Sequence, residues 1–333
     1  MKATYTLKHG VYIKSSGTVV GALEAKGSIG TYFDKTYKDN YCGEDNWEKA
    51  EMRLLEDAIT LTLKQGELET DEIDVILAGD LINQNVISNY VMRNIDIPFL
   101  GMYGACSTSM ETLLTAALFI DSKKFKNVIA ATSSHNESAE GQYRYPTEYA
   151  NKKPETSTFT VTGAGAVCLS QDPSDIKVTH VTIGRVIDAK ENNPNDMGCA
   201  MAPAASDTIK RHLTDLNVSP SHYDMIVTGD LSKYGSNVLL DIMKDQGFDL
   251  NGIHDDCGKI IYSDEQKNKV HAGGSGCACC AVVTYGYLLE LLRSKKVKRI
   301  LVIATGALLN PVMILQNETI PCVAHAVALE RVK

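Results

Sequence analysis

The sequence predicts an α/β protein built from two duplicated βαβ halves. Two observations carry this. Residues 74–81 (Asp-Val-Ile-Leu-Ala-Gly-Asp-Leu) recur at 224–231 as Asp-Met-Ile-Val-Thr-Gly-Asp-Leu. Residues 122–127 (Ser-Lys-Lys-Phe-Lys-Asn) recur at 294–299 as Ser-Lys-Lys-Val-Lys-Arg. Two repeats in the same order point to duplication more firmly than either one alone.

Each element follows in turn. Segments 74–81 and 224–231 are short apolar runs between turn residues, the pattern of buried strands. In residues 107–121, Met110, Leu113, Leu114, Ala117 and Leu118 recur at helical spacing. The basic turn that follows leads into an apolar strand at 128–132. The second half repeats this with a helix over 277–293, a basic turn and a strand at 300–305. Strand, linker, helix and strand in alternation imply a largely parallel sheet covered by helices. Asp172-Pro173-Ser174-Asp175 reads as a turn and puts the boundary within 171–177, giving halves 1–172 and 173–333.

The chain has 333 residues, 44% of them hydrophobic, which suffices for a large core. Its net charge is −8 and it has no dense basic run, which argues against nucleic acid and against charge-driven binding to an anionic membrane surface. No apolar run approaches the ~20 residues that cross a bilayer. The first ten residues are polar and lack an apolar signal region, so the chain is expected to stay on the side of the membrane where it is made. Nine cysteines without a signal segment suit reduced thiols in a cytosol. Cys277, Cys279 and Cys280, with Cys257 and His271 nearby, lack the second well-spaced pair of a zinc site. They read as small buried thiols on a packed helix, and no metal is expected.

Gly104-Ala105-Cys106-Ser107-Thr108-Ser109 opens the first of the two helices. There backbone N–H groups lack partners, and the helix dipole favours a thiolate and lowers the cysteine pKa. The same end can receive a carboxylate. A nucleophilic thiol, an anionic-ligand site and a buried structural cysteine all fit.

This motif resembles the nucleophile motif of thiolases and ketoacyl synthases, and the two-half repeat matches their fold. The resemblance implies a thiolase-like five-layered α-β-α-β-α architecture. Those enzymes need two partners for the cysteine, drawn from His, Asn or a second Cys in the C-terminal half. Here Thr228-Gly229-Asp230-Leu231 stands where a His is expected, and Gly274 where an Asn is expected. His271 and His135 are the candidate substitutes, although a lone His is more often structural.

Longer strings narrow the resemblance. They include Tyr41-Cys42-Gly43-Glu44, Asn46-Trp47-Glu48-Lys49-Ala50-Glu51, Ser133-Ser134-His135-Asn136, Arg144-Tyr145-Pro146-Thr147-Glu148-Tyr149 and His271-Ala272-Gly273-Gly274-Ser275-Gly276-Cys277. Together they resemble the stage V sporulation protein AD family across roughly residues 27–330. That resemblance implies non-enzymatic binding of dipicolinate, alone or with calcium, for uptake into the developing spore. It implies membrane proteins of the stage V sporulation A system as partners, a homodimer with the strand at 128–132 at or near its interface, and no cofactor. The expected location is cytosolic or peripheral at the spore inner membrane. Two alternatives stay open: an acyltransferase using Cys106 with His271, and a structural adaptor of the membrane complex.

A flat ring with two carboxylates needs an apolar or aromatic surface and donors for both anionic groups. Arg144 can grip a carboxylate in bidentate fashion. Tyr143, Tyr145 and Tyr149 offer ring contacts, Ser107 and Thr108 beside Cys106 offer donors, and Asn83 and His135 follow strands at the expected pocket edge.

Overall fold

The computed structural model describes residues 2–143 and 152–332. Ten main strands carry the architecture. The first half contributes β1 (Tyr12–Val20), β2 (Val75–Gly79), β3 (Phe99–Gly101), β4 (Asn127–Ser134) and β5 (Gly163–Ser170). The second contributes β6 (Ile176–Thr182), β7 (Met225–Thr228), β8 (His254–Asp256), β9 (Arg299–Ala307) and β10 (Pro321–Arg331). They follow one hydrogen-bonded path, β3-β2-β4-β5-β1-β6-β10-β9-β7-β8, so each half has the same internal order. A single residue pair, Tyr12 with Lys177, joins β1 to β6.

The two sequence repeats meet in space, which explains why both are present. Asp74, just before β2, accepts the backbone N–H groups of Lys126 and Asn127, where the first basic turn enters β4. Asp224, just before β7, accepts those of Lys298 and Arg299 at the start of β9. Each aspartate thus pins a turn to the start of the neighbouring strand.

Helix α1 (Trp47–Gly66) packs on β1, β5 and β4. Helix α2 (Thr108–Asp121) packs on β4, β2 and β5 of the first half and on β10, β9 and β6 of the second. It therefore lies between the two half-sheets, together with the helix over 277–293. Helix α3 (Met197–Leu216) covers β10 and β9, with α4 (Ser232–Asp245) against it. The result is five layers, α-β-α-β-α. Alternation along the strands agrees with it. Val75 and Leu77 of β2 join the central core, while Ile76 and Ala78 join the outer core under α1. Ile300 and Val302 of β9 face the centre, and Leu301 and Ile303 face α3. Strands covered on both faces read as continuous apolar runs.

Three expectations need correction. The sheet is mixed: β3, β2 and β4 are parallel, as are β8, β7 and β9, but β4–β5 and β9–β10 are antiparallel. An antiparallel neighbour is reached without a crossover helix, and helix–strand alternation does not signal it. The helix over 277–293 is not uniformly α, since Val283–Leu288 forms a π-helical segment. Finally, the strand at 128–132 cannot extend a sheet across an interface, because β4 pairs with β2 on one edge and β5 on the other. The exposed edge of the first half is β3, with Leu100 and nearby Tyr90 each 49% exposed.

A buried acid follows from this packing. Glu51 of α1 is fully buried, and its carboxylate accepts Ser133 Oγ at 2.9 Å and Ser138 Oγ at 3.0 Å. Burial, then the charge of Asp80, pushes its pKa up to about 7, with His135 opposing. Because the folded-state pKa lies above the unfolded one, this contribution to stability is present at low pH and is lost as pH rises through about 7. Glu51→Gln is therefore expected to flatten the fall in melting temperature between about pH 5 and about pH 8. Denaturation scans of both proteins across that range measure it, and parallel curves would refute the assignment.

Candidate functional site

Cys106 sits on a tight elbow leading into α2. Ala105 adopts a left-handed φ of 51°. Ser107 Oγ donates to Gly104 O and Thr108 Oγ1 donates to Ala105 O, both at 2.6 Å. The elbow packs directly on β9: a Cβ added at Gly306 would lie 2.2 Å from Gly104 O. Close backbone approach of this kind requires glycine.

Asp230, the second Gly-Asp of the repeat, reaches the cysteine from the other half. It is 1% exposed and accepts Thr305 Oγ1 at 2.6 Å and both Ser275 Oγ and the Gly276 N–H at 3.2 Å. Its carboxylate neighbours the Cys106 thiol closely enough for each to shift the other's pKa. Its counterpart Asp80 has a different task, accepting the Ser88 and Ile82 N–H groups and Ser88 Oγ. Burial pushes the Cys106 pKa well above its ordinary value, and the neighbouring Asp230 carboxylate adds to that. Burial also raises Asp230. Desolvation and a like charge both favour the protonated thiol. Both effects act against the thiolate that the helix dipole favours.

Around Cys106 lies a narrow pocket. Leu81, Ala139, Met197, Ala307 and Leu309 give it apolar walls, Tyr103 and Tyr143 give it rings, and Thr160 and Ser275 give it hydroxyls. No Lys, Arg or His is among the described residues of its wall. Tyr103 and Tyr143 hydroxyls are 2.9 Å apart, and Tyr143 donates to Leu81 O.

The expected site residues divide sharply. Cys106 lines the pocket. Ser107 and Thr108 adjoin it but are fully buried, with their hydroxyls turned to the elbow backbone. Asn83 is exposed outside the wall, its N–H donating to Gln142 Oε1. His135 is fully buried: Nε2 contacts Asn40 O at 2.8 Å, Nδ1 lies 3.1 Å from Glu137, and Trp47 packs against the ring. It clamps the segment around residue 40 and does not face the pocket. His271 lines a different cavity. Arg144, Tyr145 and Tyr149 lie outside the described residues. Among the described residues, no three His, Cys, Asp or Glu groups are placed to share a metal ion. Tyr103, Thr160, Ser275 and Asp230 were not anticipated. Of these only Asp230 left a signal, as the residue standing where a catalytic His is expected.

Comparison with known proteins is consistent with this arrangement. The family model for stage V sporulation protein AD matches residues 1–330. The stage V sporulation protein AD of Bacillus subtilis (strain 168) is 53% identical over 330 residues, 99% of this chain and 97% of that protein. Among solved structures, 3-oxoacyl-[acyl-carrier-protein] synthase III from Aquifex aeolicus VF5 aligns at TM-score 0.59 and 14% identity, covering 96% of this chain and all of that one. Human mitochondrial 3-ketoacyl-CoA thiolase aligns at TM-score 0.60 and 11% identity, covering 98% of this chain and 100% of that one. At such identities these two likenesses establish the thiolase-like fold alone.

Proposed function

We infer the function from one premise: the chain belongs to the stage V sporulation protein AD family. On that premise, the Cys106 pocket binds dipicolinate, alone or as its calcium complex, without covalent chemistry, and serves its uptake into the developing spore. One observation carries the non-covalent reading: buried Cys106 has the Asp230 carboxylate as its neighbour and no His among the described residues of its pocket wall. A condensing enzyme needs a thiolate and a base beside it. Here the neighbouring group disfavours the thiolate, and neither His135 nor His271 reaches the pocket wall. Aromatic and apolar walls suit a flat ring.

Asp230→Asn removes the charge but keeps the shape. Alkylation of Cys106 by iodoacetamide at about pH 8 is then expected to speed up, because the like charge that disfavours the thiolate is gone. Peptide mass spectrometry reads the rate at this cysteine alone. The native protein should also stay unacylated when incubated with an acyl-coenzyme A. A stable thioester on Cys106 would overturn the non-covalent reading in favour of an acyltransferase.

The chain is proposed to pair as a homodimer through β3, whose outer edge lacks a strand partner among the described residues and carries exposed Leu100. Unpaired edges with apolar side chains invite strand addition. Gly101→Pro is expected to convert a dimer into a monomer by light scattering, and a native monomer at micromolar concentration would rule the dimer out. Membrane proteins of the stage V sporulation A system are the proposed partners. Among the described residues, no helix is long and apolar enough to cross a membrane.

A further inference from the structure

A second cavity of about 610 Å³ opens between residues 152–155, the start of α4 and the stretch 258–273. Its walls hold five lysines, Lys152, Lys153, Lys233, Lys259 and Lys267, against two carboxylates, Glu155 and Asp264. In a chain of net charge −8 this is a marked local excess of positive charge. Three of the lysines are paired: Lys153 with Glu140, Lys259 with Asp255 and Lys267 with Asp264. Glu155 accepts the Tyr234 hydroxyl. Lys152 and Lys233 have no carboxylate partner among the described residues.

Lys233 also stands against its local preference. It is in the first turn of α4, a 14-residue helix with no acidic residue in that turn. The dipole there favours anions and penalises a cation. The Asp256 carboxylate already takes the Leu231 and Ser232 N–H groups at that end, while the Lys233 ammonium, over the Tyr234 ring, pairs with neither carboxylate of the cavity wall. The residue type narrows the ligand further. Planar carboxylates are matched by the guanidinium fork of Arg, whereas Lys acts as a point charge suited to phosphate, and no Arg lines this cavity. Its volume lies in the range of small-molecule sites and exceeds what one tetrahedral anion fills.

We propose that this cavity binds an oligophosphate, either free or as part of a nucleoside diphosphate, with Lys152 and Lys233 as its main contacts. The site is separate from the Cys106 pocket, and the two share no wall residue.

Titration calorimetry at constant ionic strength, which holds non-specific screening fixed, tests it with inorganic pyrophosphate and with ADP as probes. Pyrophosphate is expected to bind, and the double variant Lys152→Glu/Lys233→Glu to bind it at least about 100-fold more weakly, from two lost charge-assisted contacts. Lys152→Gln/Lys233→Gln should show a smaller loss in the same direction. Tighter binding of ADP than of pyrophosphate would support the nucleotide form, and equal binding the free oligophosphate. Dipicolinate binding by the same variants is expected to be unchanged, so failure of one site is separable from failure of the other. No binding of either probe at millimolar concentration, or binding that survives the double substitution, would overturn the proposal.

Discussion

Dipicolinate is expected to bind the purified protein reversibly, and benzoate to bind one to two decades more weakly. The described pocket wall offers rings and aliphatic surface but few free donors. The Tyr143 hydroxyl donates to Leu81 O, and Ser275 Oγ donates to Asp230. A dianion in such a pocket needs a countercharge. Arg144, outside the described residues, is proposed to supply it for one carboxylate. Losing a single charge-assisted contact corresponds to about 1.5–3 kcal/mol, or about 10- to 100-fold in affinity. Arg144→Ala is therefore expected to weaken dipicolinate by that factor and to bring it close to benzoate. Repeating the calorimetry with calcium separates the free dianion from a neutral chelate, which a donor-poor pocket would accept more readily. Equal affinity of the native protein for dipicolinate and benzoate would mean that the pocket does not recognise the second carboxylate.

Gly306→Val is expected to be strongly damaging to the site. The first carbon of any side chain there would lie 2.2 Å from Gly104 O and 3.0 Å from the backbone nitrogen of Ser107. Both neighbours belong to the elbow that presents Cys106, so either β9 or the elbow has to move. Overpacking against fixed backbone costs about 3 kcal/mol or more. The melting temperature should fall by several degrees, and ligand binding should be lost even where the fold survives. Gly306→Ala should show a smaller fall in the same direction. Gly141→Ala is the contrasting control: nothing lies within 4 Å of its added carbon, and it sits in a helix, Asn136–Tyr143, where Ala is favoured. A stable Gly306→Val protein that still binds ligand would mean that the elbow is free to shift.

The homology between halves was legible at the level of strings. The repeated Asp at 74 and 224 and the repeated basic turns mark contacts made close to one strand end, and such contacts keep their sequence pattern. Apolar runs such as 75–79 likewise announced strands buried on both faces. The elbow at Cys106 was readable because a small-residue strand–helix junction needs particular residue types. The role of each Gly-Asp was not readable. Asp80 serves its own half, whereas Asp230 meets Cys106 only after the chain has folded its second half against the first. His135 and His271 looked equivalent as candidate bases, yet one is enclosed beside Trp47 and the other lines the lysine cavity. The sign of the Cys106 shift was also beyond the sequence. A helix start is a local feature that favours the thiolate, but burial among Leu81, Ala139 and Cys277 and the charge of Asp230, 124 positions along the chain, arise only in the tertiary structure, and both act against the thiolate.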